Sequence, residues 1–483
     1  MSDRPFVVIG AGVGGLAVAL RLAHRGAKVV VLEKTDQVGG RNREVTVGDA
    51  KFDGGPTLMM MLDPFRKLFT DVGEKLEDHL DIRLCDPSYR VFYRDGSRIE
   101  GTTNVAKMVD QINRLSGRKD ALAYPKLLGD LADLYREAIP RFVERNYNHI
   151  GQFIGGKALP LVLRHRMLGN LAKGIGRYVE DPRLRMLFSF QTMYLGLSPY
   201  DAPWVYAVLT YMEYGEGIWY PMGGMVEIAR SIERLATKKG AEFRLNTAVK
   251  KVEGRNVILE SGEVIEAEAV ICNADLPYAE RELQSLPAKP KRRYSCSALM
   301  LYAEVDGEID GLEHHNVFFG ADFEGNLRQI FDEKRIPTDP AFYAAVSCKT
   351  DPERCKNSRS NLYLLIPAPN LDHSWTEAEE NALIDGALKR LQDEVGFDPA
   401  RILQRKTYRP KDWADDLNLD RGAAFGLSHD FWQSAYFRPS NRSKSNRNMV
   451  FVGASTQPGN GLPMVLISAD LAERRLVDDG RLR

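Results

Sequence analysis

The chain has 483 residues, and its 66 lysines and arginines balance 66 aspartates and glutamates. This length suffices for two or three domains with a sizeable core. A formal net charge of zero provides no overall field to attract a nucleic acid, so no nucleic-acid partner is expected. The five cysteines are scattered and form no C-x-x-C pair, which indicates reduced thiols in a cytosolic chain.

A first predicted strand at residues 5–9 leaves no room for a signal peptide before it. No apolar run approaches the roughly 20 residues needed to span a bilayer. We therefore expect a cytoplasmic protein that is soluble or bound to a membrane surface.

This first strand is followed by a glycine turn and a helix. Its residues are apolar and β-branched, and the next ones complete a G-x-G-x-x-G motif. The first glycine permits a tight turn, the second lets a pyrophosphate approach the backbone, and the third lets the helix pack on the strand. The N-terminal amides of the helix favour a phosphate. The predicted dinucleotide-binding residues are Gly10, Gly12, Val13, Gly14 and Gly15.

An acidic residue, Glu33, ends the second predicted strand at residues 28–32. This is about the spacing at which a carboxylate accepts hydrogen bonds from an adenosine ribose, and it argues against NADP. Gly39, Gly40 and Arg41 favour FAD over NAD, because a second flexible turn can fold over the pyrophosphate and an arginine can bind phosphate bidentately. A surface turn with a solvated arginine is the alternative. We predict non-covalent FAD, with Lys34 also in its site.

Later glycine-rich segments have the chemistry of further turns around the same site. Residues 53–56 form a sharp Asp-Gly-Gly-Pro loop, and residues 220–225 form a glycine turn before a predicted helix at 226–238. Near the end, a buried strand at 449–452 leads into the 458–463 loop and a closing helix that runs to about Leu476. The N-terminal amides of this helix can stabilise negative charge at the N1/C2=O edge of a reduced flavin.

The elements of one dinucleotide-binding domain are therefore spread along the chain and interrupted twice. We predict an α/β fold with a Rossmann-type FAD-binding domain, that of a two-dinucleotide-binding-domain flavoprotein of the glutathione-reductase and amine-oxidase type, together with a mixed β substrate domain and a helical insert. The predicted boundaries are 1–88, 215–280 and 441–483 for the Rossmann-type FAD-binding domain, 89–103 and 281–440 for the substrate domain, and 104–214 for the insert.

Within the insert, residues 151–185 carry seven cations and two anions among many leucines. Such a stretch suits the surface of an anionic bilayer, and an amphipathic helix with a solvated basic face is the alternative. The cations are Lys157, Arg164, Arg166, Lys173, Arg177, Arg183 and Arg185, and the anions are Glu180 and Asp181.

No Ser/His/Asp triad or metal-binding spacing stands out. His314 and His315 are adjacent on a predicted strand, so we expect their side chains on opposite faces, where they cannot share a metal. No metal site is predicted. Asp53, beside the glycine loop, is the candidate catalytic base.

Four stretches resemble the bacterial-type phytoene desaturases, a family of FAD-dependent carotenoid and diapocarotenoid desaturases. They are FDGGPTL at 52–58, HHNVFFG at 314–320, AAFGLSHDFWQSAYFRPSNRS at 423–443 and GASTQPGNGLPMVLISA at 453–469. The chain departs from the family pattern at Asn460, where many members have alanine, and at 455–457, where glycine-threonine-histidine is common.

The resemblance implies hydride transfer from phytoene or 4,4'-diapophytoene to FAD, with oxygen or a quinone as the final electron acceptor. It implies a peripheral membrane protein that takes a hydrophobic polyene from the bilayer. It also implies Val249 as the backbone partner of the adenine. The remaining FAD-binding residues that it implies are Gly55, Pro56, Thr57, Gly453, Ala454, Gly461, Leu462 and Pro463.

Two alternatives share this fold. A flavin amine oxidase commonly needs an aromatic cage over the flavin, and residues 453–469 contain no aromatic residue. A lipid-binding escort related to the GDP-dissociation inhibitors is expected to have lost FAD, whereas the fingerprint here is intact.

Overall fold

A five-stranded parallel sheet carries the first glycine motif at the end of its central strand. The computed structural model describes residues 3–155 and 158–482, so Lys157 of the predicted basic stretch lies outside the described residues. The strand order is β19-β13-β1-β2-β9. The strands are β1 (Phe6–Ile9), β2 (Val29–Leu32), β9 (Glu242–Arg244), β13 (Val270–Cys272) and β19 (Met449–Phe451).

All residues of β1 and β2 are buried because both faces of this sheet are covered, as is usual for parallel strands. Phe6 and Val8 point into a core shared with helix α1 (Val13–His24), which packs against α10 (Val226–Lys238) and α15 (Leu462–Asp478). The alternate residues of β1 join a second core with a small antiparallel sheet. That sheet comprises β10 (Val249–Glu253), β11 (Asn256–Leu259) and β12 (Val264–Glu266).

A seven-stranded mixed sheet, in the order β18-β14-β17-β16-β15-β6-β7, forms the second layer. One face of β14 packs on helix α13 (Glu377–Val395), and the other face packs on the β3–β4 hairpin that follows the second glycine turn. The strands are β3 (Glu44–Val47), β4 (Ala50–Asp53), β6 (Tyr89–Phe92), β7 (Arg98–Gly101), β14 (Ser297–Val305), β15 (His315–Phe318), β16 (Phe342–Ala345), β17 (Ser360–Ala368) and β18 (Ile402–Tyr408).

Most remaining elements are helical and lie between β7 and α10. Strand β8 (Trp219–Pro221), at the end of this region, pairs antiparallel with β5 (Ile82–Leu84). The predicted basic stretch is divided among four short helices, α5 to α8, and is not one amphipathic helix. The helices are α2 (Leu62–Asp71), α3 (Val105–Ser116), α4 (Arg118–Ala138), α5 (Ile150–Ile154), α6 (Ala158–Arg164), α7 (Leu171–Ile175), α8 (Pro182–Leu187), α9 (Val208–Tyr211), α11 (Leu276–Tyr278), α12 (Phe323–Phe331) and α14 (Pro410–Leu417).

The mixed α/β arrangement agrees with the predicted fold class. Helix α10 has the bounds expected from its pattern, and β19 and α15 lie within a residue or two of theirs. The domain boundaries stay predictions. Strands β6 and β7, from residues 89–101, join the same sheet as β14 to β18, which is the distribution expected of a substrate domain built from two segments.

Candidate active site

Two glycine turns meet at the carboxyl end of β1. Gly39 donates from its backbone to the Ala11 carbonyl over 2.8 Å, and a side chain on Gly40 would come within 3.3 Å of the Gly12 backbone. Helix α1 begins here with no capping side chain and no acidic residue in its first turn. Its first amides therefore remain available to an anion, as a dinucleotide phosphate site requires.

Gly15 has a different role from the other motif glycines. A Cβ at this position would lie 2.1 Å from the Gly10 carbonyl oxygen, so α1 can approach β1 only if residue 15 is glycine. Gly15 does not line the cavity described below. The helix-packing role expected of the third motif glycine thus accounts for this position without a contact to the cofactor.

Glu33 lies at the end of β2 with its carboxylate directed toward the first glycine turn. Oε2 accepts a hydrogen bond from the Ala11 amide at 2.8 Å, and Oε1 accepts from the Thr35 amide at 2.9 Å and the Thr35 hydroxyl at 2.8 Å. The residue is buried but borders the cavity. Each carboxylate oxygen can accept two hydrogen bonds, so Oε2 retains a site for a ribose hydroxyl.

Arg41 and the 53–57 loop lie together beside strands β14 and β17 of the seven-stranded sheet. Tyr302 and Tyr363 donate from their hydroxyls to the Gly54 and Gly55 carbonyls at 2.9 and 2.8 Å, which fixes the loop to β14 and β17. A side chain on Gly55 would come within 2.5 Å of the Arg41 carbonyl. Burial lowers the pKa of Arg41, which the Asp275 carboxylate partly offsets. The guanidinium remains cationic and borders the cavity.

The closing segment brings a third set of backbone groups to the same place. Gly453 and Gly461 have φ values of 128° and 112°, which favour glycine. Gly461 is the N-cap of α15, and this helix also begins with no capping side chain and no acidic residue. Ser468 ties the segment down, because its hydroxyl accepts from the Gly453 amide and donates to the Gln457 carbonyl.

A cavity of about 850 Å³ connects these segments. It reaches from the Glu33 carboxylate to the closing loop and continues into an apolar section lined by residues such as Phe190, Val317, Phe319 and Leu327. The predicted cofactor residues that line it are Gly10, Gly12, Val13, Gly14, Glu33, Lys34, Gly40, Arg41, Gly55, Pro56, Thr57, Val249, Gly453, Ala454, Gly461, Leu462 and Pro463.

Asp53 does not line this cavity. Its carboxylate accepts from the Met225 amide at 2.8 Å and lies 3.4 Å from the buried Arg354 guanidinium. Burial raises its pKa, and Arg354 partly offsets this rise. In this position Asp53 joins β4 to the 220–225 turn, which gives it a structural role independent of catalysis.

The two adjacent histidines do not point to opposite faces, so that prediction is wrong. The strand begins at His315, and the alternation of side chains therefore does not extend to His314. The two rings are 4.0 Å apart, and ring nitrogens of both residues lie within 4.8 Å of the Cys85 thiol and of each other. His314 Nδ1 is 2.7 Å from the Thr350 hydroxyl.

Several cavity residues were not identified from the sequence. Tyr343 and His429 lie far from the glycine motifs in the chain and are brought to the cavity by sheet pairing and by the 423–443 segment. His429 Nε2 accepts a hydrogen bond from the Asn460 amide at 3.1 Å, which supports the closing loop. A histidine within a family-like stretch was visible in the sequence, but nothing in the pattern assigned it a contact.

The comparisons with known proteins agree with this geometry. A family model described as flavin containing amine oxidoreductase matches residues 13–475. The chain belongs to this family. The chain is 40% identical to a zeta-carotene-forming phytoene desaturase of Myxococcus xanthus, with 98% of this chain and 94% of that protein covered. It is 30% identical to a 4,4'-diapophytoene desaturase of Staphylococcus haemolyticus, with 98% of each covered.

Among solved structures, the cyclohexylamine oxidase of Brevibacterium oxydans superposes with a TM-score of 0.59 at 15% identity, covering 99% of this chain and 100% of that one. This likeness supports the predicted fold. FAD is the cofactor of this oxidoreductase, and the uncapped helix starts, the glycine contacts and the bordering Glu33 and Arg41 fit it. The resemblance to the phytoene desaturases is confirmed.

Proposed function

We propose that this protein desaturates a linear isoprenoid hydrocarbon, phytoene or 4,4'-diapophytoene, in carotenoid biosynthesis. The observation that carries the proposal is that the cavity lined by the predicted cofactor residues extends into an apolar section. The names of the relatives from Myxococcus xanthus and Staphylococcus haemolyticus support the substrate class. A long hydrocarbon suits the apolar section, which offers few polar groups.

The chemistry requires a cofactor because an unactivated hydrocarbon has no carbonyl or phosphate for the protein to polarise. FAD, when bound, supplies the hydride acceptor. The protein holds the hydrocarbon against that site, excludes water and stabilises developing charge. The N-terminus of α15, which starts beside Gly461 and borders the cavity, favours negative charge at its first turn.

Expression in two carotenoid-producing hosts tests the substrate. One host makes only phytoene and the other only 4,4'-diapophytoene, and the products are separated by chromatography and identified by their absorption. We expect new conjugated double bonds in at least one host and a yellow purified protein whose flavin is released on denaturation. Absence of any desaturated product in both hosts would refute the proposal. If the purified protein instead oxidised an amine, the amine oxidase alternative would be favoured.

We propose further that the cavity opens at a membrane-binding face. No helix among the described residues is long and apolar enough to cross a bilayer. Six large apolar side chains are nevertheless exposed on α6, the loop after it and the 431–437 segment, and four of them also border the cavity. We call this set the mouth patch: Leu159, Leu163, Leu168, Phe431, Trp432 and Phe437.

Aromatic contacts join the 431–437 segment to helix α5, which precedes α6 in the chain. Phe153 of α5 stacks on Tyr436 with ring centroids 6.0 Å apart, and Tyr436 contacts Phe437 at 5.6 Å. Leu163 and Trp432 are each 67% exposed, which is costly in water but favourable at a lipid interface, where tryptophan is common.

Cations surround this apolar surface. Arg164, Arg166, Lys173 and Arg177 are exposed, and Arg164 is paired with Glu137 at 2.9 Å. By contrast, Arg183 is held by Asp95 and Asp181 and contributes less to a binding surface. Each exposed lysine or arginine near an anionic bilayer is worth about 1 kcal/mol, so several together support reversible docking.

Co-sedimentation with anionic liposomes tests the membrane face. The double variant Leu163→Gln and Trp432→Gln, and separately Arg166→Glu with Lys173→Glu, should reduce liposome binding and activity on liposomal substrate while leaving FAD content unchanged. Leu403→Gln, which alters an exposed leucine on β18 away from the cavity lining, is the matched control. Unchanged liposome binding in both test variants would place the docking face elsewhere.

A further inference from the structure

The hydroxyl of Tyr343 lies at the cavity wall between the 53–57 loop and a buried imidazole. It is 2.9 Å from the Thr57 hydroxyl and 2.6 Å from His315 Nδ1. Tyr343 and Thr57 line the cavity, whereas His315 lies behind them and is fully buried. The arrangement is a phenol in contact with the cavity and a nitrogen base directly behind it.

The charge states of Tyr343 and His315 suit transfer of a proton from the phenol to the imidazole. Burial, followed by the neighbouring His314, lowers the pKa of His315 well below its usual range, so the imidazole is neutral. Burial raises the pKa of Tyr343, so the phenol keeps its proton. Neighbouring groups that also act on the pair include Tyr194, Asp53 and the Cys85 thiol, which raise the pKa of Tyr343, and Arg354, which lowers the pKa of His314.

A shared metal ion fits this cluster less well than a proton does. Nδ1 of His314 already contacts the Thr350 hydroxyl and Nδ1 of His315 contacts the Tyr343 hydroxyl, so a metal ion would have to be bound through the Nε2 atoms. The Nε2 atoms of both histidines lack a hydrogen-bond partner among the described residues. The nearby Arg354 guanidinium also disfavours a second cation.

Tyr194, Tyr206, Tyr278 and Tyr363 also line the cavity, and among the described residues none of their hydroxyls contacts an imidazole nitrogen. Tyr363 donates to the Gly55 carbonyl, and Tyr206 is bonded to the Ser434 hydroxyl. Tyr194 donates to the fully buried carboxyl of Glu213 at 2.9 Å. Burial raises the pKa of Glu213 well above its usual range, which favours its neutral form, and Oε1 of this carboxyl also accepts from the Gln191 side-chain amide at 2.9 Å.

We propose that Tyr343 and His315 together accept the proton that the substrate loses when each double bond forms. The inference rests on the proposed desaturase function. Removal of a hydride from one carbon leaves a cation. The adjacent carbon then loses a proton to Tyr343 Oη, the Tyr343 proton passes to His315 Nδ1, and the C–H electron pair becomes the new double bond. Tyr343 is the catalytic residue, and His315 is the positioning residue and proton store behind it.

A weak base is sufficient for this step. A carbocation next to a C–H bond is a far stronger acid than an imidazolium, so the low proton affinity of buried His315 does not prevent the transfer. The same low affinity ensures that the proton is released before the next turnover. Behind His315, Nδ1 of His314 lies 2.7 Å from the half-buried Thr350 hydroxyl, but no hydrogen bond joins the two imidazoles among the described residues.

Holoenzyme variants test the pair. Tyr343→Phe keeps the ring and removes the hydroxyl, and we expect kcat to fall about 100-fold, within the range of general base catalysis, with KM and FAD content within about twofold of wild type. With substrate deuterated at the carbon that loses the proton, a primary isotope effect on kcat should appear or increase. The matched control is Tyr124→Phe, because the buried Tyr124 hydroxyl has no hydrogen-bond partner in the described part of the chain and lies outside the cavity.

His315→Gln separates proton uptake from positioning. Glutamine offers an oxygen acceptor to the Tyr343 hydroxyl but is not a base, so kcat should fall nearly as far as in Tyr343→Phe. A His315→Gln enzyme at the wild-type rate would overturn the role of His315. A Tyr343→Phe enzyme at the wild-type rate would overturn the proposal, and a larger loss in Tyr194→Phe would assign the proton to Tyr194 and Glu213.

Two further outcomes are distinguishable. Stoichiometric metal in the purified holoenzyme that disappears in His315→Gln would overturn the relay and establish a metal site. Wild-type enzyme that desaturates neither hydrocarbon would refute the proposed function itself. An active wild type with an equally active Tyr343→Phe would refute this inference alone.

Discussion

Glu33→Gln is a sharp test of how the FAD site is built. The wild-type carboxylate accepts three hydrogen bonds, from the Ala11 amide and from the amide and hydroxyl of Thr35. Glutamine has the same shape but only one acceptor oxygen. If that oxygen serves Thr35, an NH₂ group faces the Ala11 N–H, and two donors oppose each other beside the first glycine turn.

The cost can be worked out from these contacts. A hydrogen bond to a charged group contributes about 1.5–3 kcal/mol, and the ribose bond proposed for Oε2 is of the same kind. Loss of one such bond weakens FAD binding by roughly 10- to 150-fold, since about 1.4 kcal/mol corresponds to a factor of ten. The opposed donors at Ala11 add to this loss because Ala11 lies between Gly10 and Gly12 in the turn.

Titration of the apoprotein with FAD, followed by flavin fluorescence, measures the effect. The control is Glu242→Gln, which alters an exposed carboxylate on the edge strand β9. We expect weaker FAD binding in Glu33→Gln and no change in the control. Equal dissociation constants for wild type and Glu33→Gln would show that Oε2 does not hold the ribose and that the Ala11 contact is dispensable.

Two other predictions follow from the backbone and the buried histidines. Gly461→Ala places a side chain on a residue with a φ of 112° at the start of α15, which costs about 1–3 kcal/mol of backbone strain, so FAD retention and activity should fall. Gly386→Ala in α13 is the control and should lower neither, because a Cβ there meets nothing within 4 Å. Burial lowers the pKa of three histidines, so the unfolded chain takes up protons below about pH 6.5 that the folded chain does not. These histidines should therefore lower the free energy of unfolding on acidification by up to about 1.4 kcal/mol per pH unit each, while the raised pKa of buried Glu213 acts in the opposite direction. A His429→Gln variant whose guanidinium unfolding changes between about pH 7 and pH 5.5 by the same amount as that of the wild type would contradict the histidine contribution. The histidines are His314, His315 and His429.

The features found from sequence are those whose chemistry is local. The first glycine turn, Glu33 and the start of α15 each depend on neighbours within a few residues, and each was predicted at its observed position. The spacing of apolar residues likewise predicted α10 with correct ends. Such signals are short-range, so a single sequence is sufficient to detect them.

The features that were missed depend on contacts between distant segments. The histidine pair was misplaced because strand alternation was extended one residue too far, to His314, although β15 begins at His315. The importance of Tyr343 arises from pairing between β15 and β16, which places it opposite Val317 and near His315. The tertiary arrangement therefore determines the placement of the histidine pair and the position of Tyr343, and no local sequence pattern indicates them.

Asn460 illustrates how a departure from the family pattern acquires a physical meaning once the fold is known. Its side-chain amide donates to the Tyr194 carbonyl at 3.3 Å, and its backbone amide donates to His429 at 3.1 Å. An alanine here keeps the second contact and loses the first. Asn460 thus adds a direct link between the closing loop and the helical insert that forms one wall of the apolar section. We expect this departure to bear on the apolar section more than on the FAD site, because the contact that it adds leads to the Tyr194 backbone.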